Sequence, residues 1–370
     1  MALIQILQCD WDVTLVTIGP FDCDRLNSAY HAAVDAKRVS IAIAPMPNWL
    51  RRLQSGDALR GAYLARYVRQ VAPQFDVCIS GYNFTSFNRP AIQFVADFSW
   101  DDALRHESDP PIPGVRGLVQ RASPLRSLYL SAARAISGGD IDPSTWRSDI
   151  IVANSRWTAG LLARRYGVTS RVIYPPVHGE PFETDAGRTG DFVMLGRITP
   201  DKRIEEAIEF LSRVRARGHK FSFHVIGPLD GSAYCDRLRV VARRHAEWVR
   251  LRGGIYGAAK FGELARHSYA LHMHAREAFG IAVAEQVKMG LIPFVPAGTA
   301  PAEIVDDSRL CFESHEHAVE LIDRLLRNTG ELKPIRASLA ARGGMFSKER
   351  FTVEVKDLLR ELTFANQSTS

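Results

Sequence analysis

Tyr269-Ala270-Leu271-His272-Met273, running into His274-Ala275-Arg276-Glu277-Ala278-Phe279-Gly280-Ile281-Ala282-Val283-Ala284-Glu285, reads as a buried strand, a short turn and the start of a helix. A short apolar run bounded by polar residues marks the strand, and Gly290 stands where a helix of this length ends. The same alternation extends upstream and downstream. Strands are predicted over 192–195, 221–226, 249–252 and 291–295, with helices over 203–217, 234–246, 261–267, 280–289 and 301–305. Toward the N-terminus, strands at 12–17, 39–44, 77–80, 92–96 and 150–153 alternate with helical stretches such as 58–71 and 124–136. Alternation of this kind specifies an α/β protein with parallel sheets.

The chain has 370 residues, more than one hydrophobic core usually serves, so two domains are expected. The Pro-bearing segment Tyr174-Pro175-Pro176-Val177-His178-Gly179 and the polar stretch after it separate them. The division is then a first domain over 1–173, a linker over 174–190 and a second domain over 191–346. Hydrophobic residues at 46% and charged residues at 24% are those of a soluble globular protein. No apolar run reaches the roughly 20 residues of a membrane span. The start, Met1-Ala2-Leu3-Ile4-Gln5, has no basic leader, so a cytoplasmic protein is expected. Five scattered cysteines without a C-x-x-C suit free thiols in a reducing compartment. The net charge of +6 suits an anionic ligand or membrane surface, and no nucleic-acid partner is expected.

Two segments carry the chemistry. Glu277 and Glu285 flank a helix start at Phe279-Gly280-Ile281, where backbone N–H groups favour a phosphate and Gly280 lets a ligand approach closely. The second segment, Gly196-Arg197-Ile198-Thr199-Pro200-Asp201-Lys202, leaves the carboxyl end of a strand, where ligands bind in open α/β sheets. Arg197 and Lys202 are positioned there to clamp a diphosphate and to stabilise its charge as it leaves.

Together these segments resemble family 4 of the retaining glycosyltransferases, whose GT-B fold sets two Rossmann-like domains face to face across a cleft. The Glu-x7-Glu hallmark is matched by Glu277-Ala278-Phe279-Gly280-Ile281 and Glu285, and the Gly-Arg…Lys loop by Gly196-Arg197 and Lys202. The likeness runs from Asn154-Ser155-Arg156-Trp157-Thr158 through Tyr174-Pro175-Pro176-Val177 to Ala302-Glu303-Ile304-Val305. It implies metal-independent transfer from a UDP- or GDP-linked sugar to a hydroxyl acceptor, such as a glycan or lipid-linked saccharide, with retention at the anomeric carbon. The nucleotide sugar is a co-substrate, and no other cofactor is implied. Glu277 inherits the donor sugar hydroxyls, Glu285 the ribose, and Arg197 and Lys202 the diphosphate. Gly254-Ile255-Tyr256 lines the base, and His274 lines the donor pocket. Asp97 stands where many members place a histidine at the reaction centre, and Glu303 is a further donor-side candidate. The stretch 347–370 is implied to be a helix crossing back to the first domain, then a disordered tail.

The first domain is the less typical one. The chain opens in a helix-like stretch over 2–8, so the first strand and Gly-rich loop of a doubly wound domain are expected to be lacking. A non-catalytic nucleotide-sugar binder, or a start placed too far downstream, would account for that. Asp22-Cys23-Asp24 resembles a metal motif but suits a helix cap better, and His272 and His274 lack a third metal ligand. An epimerase is disfavoured by the paired motifs, and a NAD enzyme by the absence of G-x-G-x-x-G after a strand. Arg116, Arg121, Arg126 and Arg134, interleaved with leucines, read as a surface helix that would also suit peripheral contact with the inner membrane face.

Overall fold

The computed structural model describes residues 1–53, 56–101, 104, 124–138, 148–179 and 187–367. The chain divides into two compact units: Met1–Asn154 with Thr158–Ile173 and Phe351–Ser370, and Ser155–Trp157 with Tyr174–Arg350.

In the first unit the elements are α1 (Ala2–Leu7), β1 (Val13–Thr17), α2 (Cys23–Tyr30), β2 (Val39–Ile43), α3 (Asn48–Arg52), α4 (Asp57–Val71), β3 (Ile79–Ser80), β4 (Ile92–Val95), α5 (Pro124–Ser137), β5 (Ile150–Ala153), α6 (Arg156–Tyr166, its first two residues in the second unit) and β6 (Arg171–Val172). The strands form two separate parallel sheets, β1-β2 and β3-β4-β5-β6. Helix α1 is the first element, and among the described residues no strand joins β1 to β3. The whole of β1 is only half-buried, and Ile41 and Ile43 of β2 are 42% and 40% exposed.

The core of this unit lies against the four-stranded sheet. Ile6, Leu7, Ile92, Val152 and Ile173 pack there with Phe351, Val355, Leu358, Leu359 and Leu362. The last five come from the final helix of the chain, Lys348–Gln367, which presents them at helical spacing. Asp22 caps α2, its carboxylate accepting from the Arg25 N–H at 3.0 Å, as the cap reading of Asp22-Cys23-Asp24 requires.

The second unit is regular. Its elements are β7 (Thr189–Leu195), α7 (Ile204–Ala216), β8 (Phe223–Ile226), α8 (Ala233–Arg244), β9 (Val249–Gly253), α9 (Gly257–Leu264), β10 (His267–Leu271), α10 (Ile281–Lys288), β11 (Ile292–Pro296), α11 (Ala300–Val305), β12 (Cys311–Phe312), α12 (His315–Arg327) and α13 (Leu332–Gly343); α14 is Lys348–Gln367. One parallel six-stranded sheet runs β12-β11-β10-β7-β8-β9. Five of its strands overlap the apolar runs read from sequence, β12 is not among those runs, and β10 and β11 are buried throughout. Phe192, Phe223 and Phe294 are fully buried, with Phe192 stacked on Tyr269 at 5.0 Å. On α7, Ile204, Ala207, Ile208, Leu211 and Val214 are buried at the spacing of one helix face.

Among the boundaries that differ from the sequence reading, two bear on the cluster around His267. Helix α9 begins at Gly257 rather than at 261, and β10 begins at His267 rather than at Tyr269. His267 and Ser268 are polar, yet both are buried in the strand. His267 is accommodated because its two ring nitrogens find partners in the Glu263 carbonyl and His224.

Candidate functional site

Because β7 to β12 are parallel, the segments leaving their carboxyl ends share one edge of the sheet. Gly196 and Arg197 follow β7, Gly254-Ile255-Tyr256 follows β9, and His272 to Gly280 follow β10. The loop after β7 is drawn tightly inward. A Cβ on Gly227 would lie 2.0 Å from the Gly196 carbonyl oxygen, so only glycine fits at 227. A single 3₁₀ turn, Pro200–Lys202, then directs Lys202 toward the segment after β10.

There Lys202, His274 and Glu277 meet. The Lys202 Nζ donates to Glu277 Oε2 at 2.7 Å and lies 3.3 Å from His274 Nδ1. His274 Nδ1 is 3.4 Å from the same carboxylate oxygen, and Asp201 Oδ2 is 3.9 Å from Lys202 Nζ. Burial alone would raise the Glu277 carboxyl. The His274 hydrogen bond and the Lys202 charge outweigh it and hold the group far below the usual carboxylate range, hence ionised. His272 lies behind them, its Nε2 3.7 Å from Glu277 Oε2. Burial pushes this imidazole down to about 3, so it is neutral at physiological pH.

The turn after Glu277 ends at Gly280, whose φ of +100° places it in the left-handed region. A Cβ there would meet Pro301 Cγ at 3.0 Å, so the sequence needs glycine for both space and conformation. Helix α10 starts at the next residue, and the N–H groups of Ile281 and Ala282 belong to its first turn. Ile281 exposes its side chain at this helix start, being 54% accessible. Phe279 is different: its ring is buried with Tyr174 and Phe346, at 6.2 and 5.8 Å. Any ligand contact at 279 is therefore through backbone, with the ring anchoring the turn. Glu285, about one turn into α10, is buried and accepts from Lys260 Nζ at 2.5 Å.

The remaining candidates divide. Arg197 is exposed at the carboxyl end of β7. Tyr256 is 67% exposed, Ile255 packs against the Leu264 and Ala265 group, and Gly254 lies beneath the Tyr256 ring. Asp97 lies in the first unit, just past β4, and is engaged there. It accepts from the Tyr82 hydroxyl at 2.5 Å, Asn83 Nδ2 at 2.8 Å and the Ser99 N–H at 2.9 Å. Burial works against its ionised form, but these bonds keep its carboxyl below the ordinary value. Glu303 is occupied structurally: it accepts from the backbone N–H groups of Arg156 at 2.9 Å and Trp157 at 3.2 Å, and from the Tyr174 hydroxyl. Arg116 and Arg121 fall outside the described residues, whereas Arg126 and Arg134 lie on α5.

Lys260 was not singled out from the sequence. Its signal was the position of α9: with the helix starting at Gly257, Lys260 falls in its first turn, where its Nζ reaches Glu285.

Residues 182–342, which hold Arg197, Lys202, Gly254-Ile255-Tyr256, His274, Glu277, Phe279-Gly280-Ile281, Glu285 and Glu303, match the family model described as "Glycosyl transferases group 1". The fold is GT-B. WaaG, a glycosyltransferase involved in lipopolysaccharide biosynthesis, superposes with a TM-score of 0.66 at 14% identity, covering 96% of this chain and 94% of that one. HepE from Anabaena, solved in complex with UDP-glucose, gives 0.65 at 14% identity, covering 97% and 95%. A sucrose-phosphate synthase from Thermosynechococcus elongatus gives 0.64 at 13%, covering 98% and 92%. At such identities the shared property is the GT-B fold itself. No curated protein matches the chain in sequence.

Proposed function

We propose that this chain is a retaining glycosyltransferase that moves a sugar from a nucleoside diphosphate sugar to a hydroxyl acceptor without a metal ion. The observation that carries the reading is the Lys202–His274–Glu277 cluster beside the glycine-opened start of α10, on the ligand-binding edge of a sheet that matches a glycosyltransferase domain. In this reading Lys202 and the exposed Arg197 hold the diphosphate, assisted by the free N–H groups of α10. The fixed charges lie where negative charge develops as the glycosidic C–O bond to phosphate breaks, so they favour the transition state over the ground state. Glu277, ionised and held by Lys202 and His274, accepts hydrogen bonds from the donor sugar's hydroxyls. Glu285 receives the ribose hydroxyls, and Gly254-Ile255-Tyr256 lines the base. The leaving phosphate oxygen takes the acceptor's proton, so no separate protein base is needed.

HepE was solved with UDP and with UDP-glucose, which makes a uridine donor the first to test. A glycan or lipid-linked saccharide is the acceptor class we propose, with the enzyme in the cytoplasm and able to rest peripherally on a membrane. The test is calorimetric titration with UDP and GDP, without and with Mg²⁺, on the wild-type and Arg197→Ala proteins. One nucleotide binding without metal, and weakened by the substitution, supports the reading. Binding that depends on Mg²⁺, or that is unchanged in Arg197→Ala, refutes it. The divided sheet of the first unit favours a second reading, a nucleotide-sugar binder without turnover. Release of UDP from UDP-sugar in the presence of acceptor distinguishes the two.

A further inference from the structure

The opposite edge of the same sheet carries a second cluster of ligating groups. His224 is near the start of β8, His267 opens β10, and Glu263 closes α9. His224 Nδ1 lies 2.8 Å from His267 Nε2 and 3.9 Å from Glu263 Oε1, and one ligand atom from each residue falls within 4.8 Å of the others. The two histidines lie at the amino ends of their strands and Glu263 in the helix leading into β10, whereas Lys202 and Glu277 follow carboxyl ends.

We propose that His224, His267 and Glu263 form a binding site for a transition-metal dication, with Zn²⁺ the best fit. Two imidazoles and one carboxylate are a donor set for zinc rather than for magnesium or calcium, which prefer all-oxygen shells. With Zn–N and Zn–O bonds of about 2.0–2.1 Å, tetrahedral ligand atoms stand about 3.3–3.4 Å apart. The 2.8 and 3.9 Å separations found here bracket that value and the third lies within 4.8 Å, so side-chain adjustments of up to about 1.5 Å complete the site.

A second feature points the same way. His267 Nδ1 is 2.9 Å from the Glu263 carbonyl oxygen, a contact in which the ring nitrogen must be the donor. The proton is thereby fixed on Nδ1, and the Nε2 lone pair is turned toward His224. This backbone support is the usual arrangement behind a metal-bound histidine. His267 is 1% exposed and Glu263 8%, while His224 is partly open to solvent and offers a route of entry.

The charges around the cluster are mixed. Arg252 Nη2 is 3.1 Å from Glu263 Oε1, Arg266 Nη1 is 3.7 Å from Oε2, and Arg250 and Asp191 act on the imidazoles at longer range. Arg252 is 40% exposed, so it can swing to solvent when a cation takes Oε1. Asp191 supplies compensating negative charge. The metal here stabilises the second unit and takes no part in transfer.

The test is titration of the apo protein with Zn²⁺ by calorimetry and with Co²⁺ by visible absorption. The variants are His224→Gln, Glu263→Gln and, as a control, His274→Ala on the other edge. Expected are one ion per chain, the intense d–d bands of four-coordinate Co²⁺, and a thermal midpoint raised by about 5–10 °C at roughly a hundredfold excess over Kd. His224→Gln should abolish all three, Glu263→Gln should weaken them at least about tenfold, and His274→Ala should keep them. Melting of each variant in chelator establishes that it folds. A wild-type protein that binds neither ion, or binding that survives His224→Gln, overturns the proposal. So does binding lost in His274→Ala.

Discussion

Replacing Gly280 by alanine tests the geometry of the donor helix start. The backbone at 280 has φ +100°, where an L-residue pays about 1–2 kcal/mol. The added Cβ would sit 3.0 Å from Pro301 Cγ, a buried ring in the first turn of α11 that has no freedom to rotate away. Crowding of that kind costs about 1–3 kcal/mol. Together they predict a loss of about 2–5 kcal/mol. Gly298 provides the control: its φ is +69°, but nothing lies within 4 Å of its added Cβ. Gly298→Ala should therefore lose only about 1–2 kcal/mol. In urea unfolding, where slopes are about 1–3 kcal/mol per molar, Gly280→Ala should have the lower midpoint by at least about half a molar. Its nucleotide affinity should also fall by at least about tenfold, since the N–H groups of α10 move with the turn. Equal midpoints for the two variants, with nucleotide binding unchanged in Gly280→Ala, would refute the reasoning.

Three further outcomes follow. Lys202→Met removes the ammonium 2.7 Å from Glu277 and should weaken nucleotide binding about 10- to 100-fold by calorimetry; an unchanged Kd would remove Lys202 from the phosphate site. Glu285→Gln should lower affinity for UDP about tenfold but leave that for 2′,3′-dideoxy-UDP unchanged, and equal losses for both would show that Glu285 does not read the ribose. His272 has its pKa pushed to about 3 by burial, below the roughly 6.5 of an unfolded chain, so between those values only the unfolded state takes up its proton. Stability is therefore full above pH 6.5 and falls on acidification. Between pH 6.5 and 4.5, before most carboxylates titrate, His272 contributes a slope of about 1.4 kcal/mol per unit that His272→Gln should remove from the urea-derived profile.

The second unit was legible because its strands β10 and β11 are buried on both faces and so are written as apolar runs, and because Gly280, Glu277, Glu285 and Lys202 sit at fixed offsets from the strands before them. Sequence reading failed where tertiary partners override local pattern. His267 read as the end of a helix, yet the strand begins with it, because the Glu263 carbonyl and His224 satisfy the imidazole. Nor does local pattern show that Tyr174 and Phe346, distant in sequence, bury the Phe279 ring. The Lys260–Glu285 pair joins α9 to α10, and no period within either helix announces it. Of the two-residue strands, β3 lies within the run read at 77–80, whereas β6 and β12 have no such run to mark them.

Helix α14 closes the core of the first unit with Phe351, Val355, Leu358, Leu359 and Leu362, although it follows the whole of Tyr174–Arg350 in the chain. On a ribosome adding about 5–20 residues per second, that intervening segment delays the helix by about 10–35 s. Until then Ile6, Ile92, Val152 and Ile173 have one side of their packing missing, while the second unit can already bury its own sheet. The unit that begins first is thus the one completed last. Its half-built form is where chaperones have most to bind, and a chain stopped short of Phe351 should lose the first unit while keeping the second.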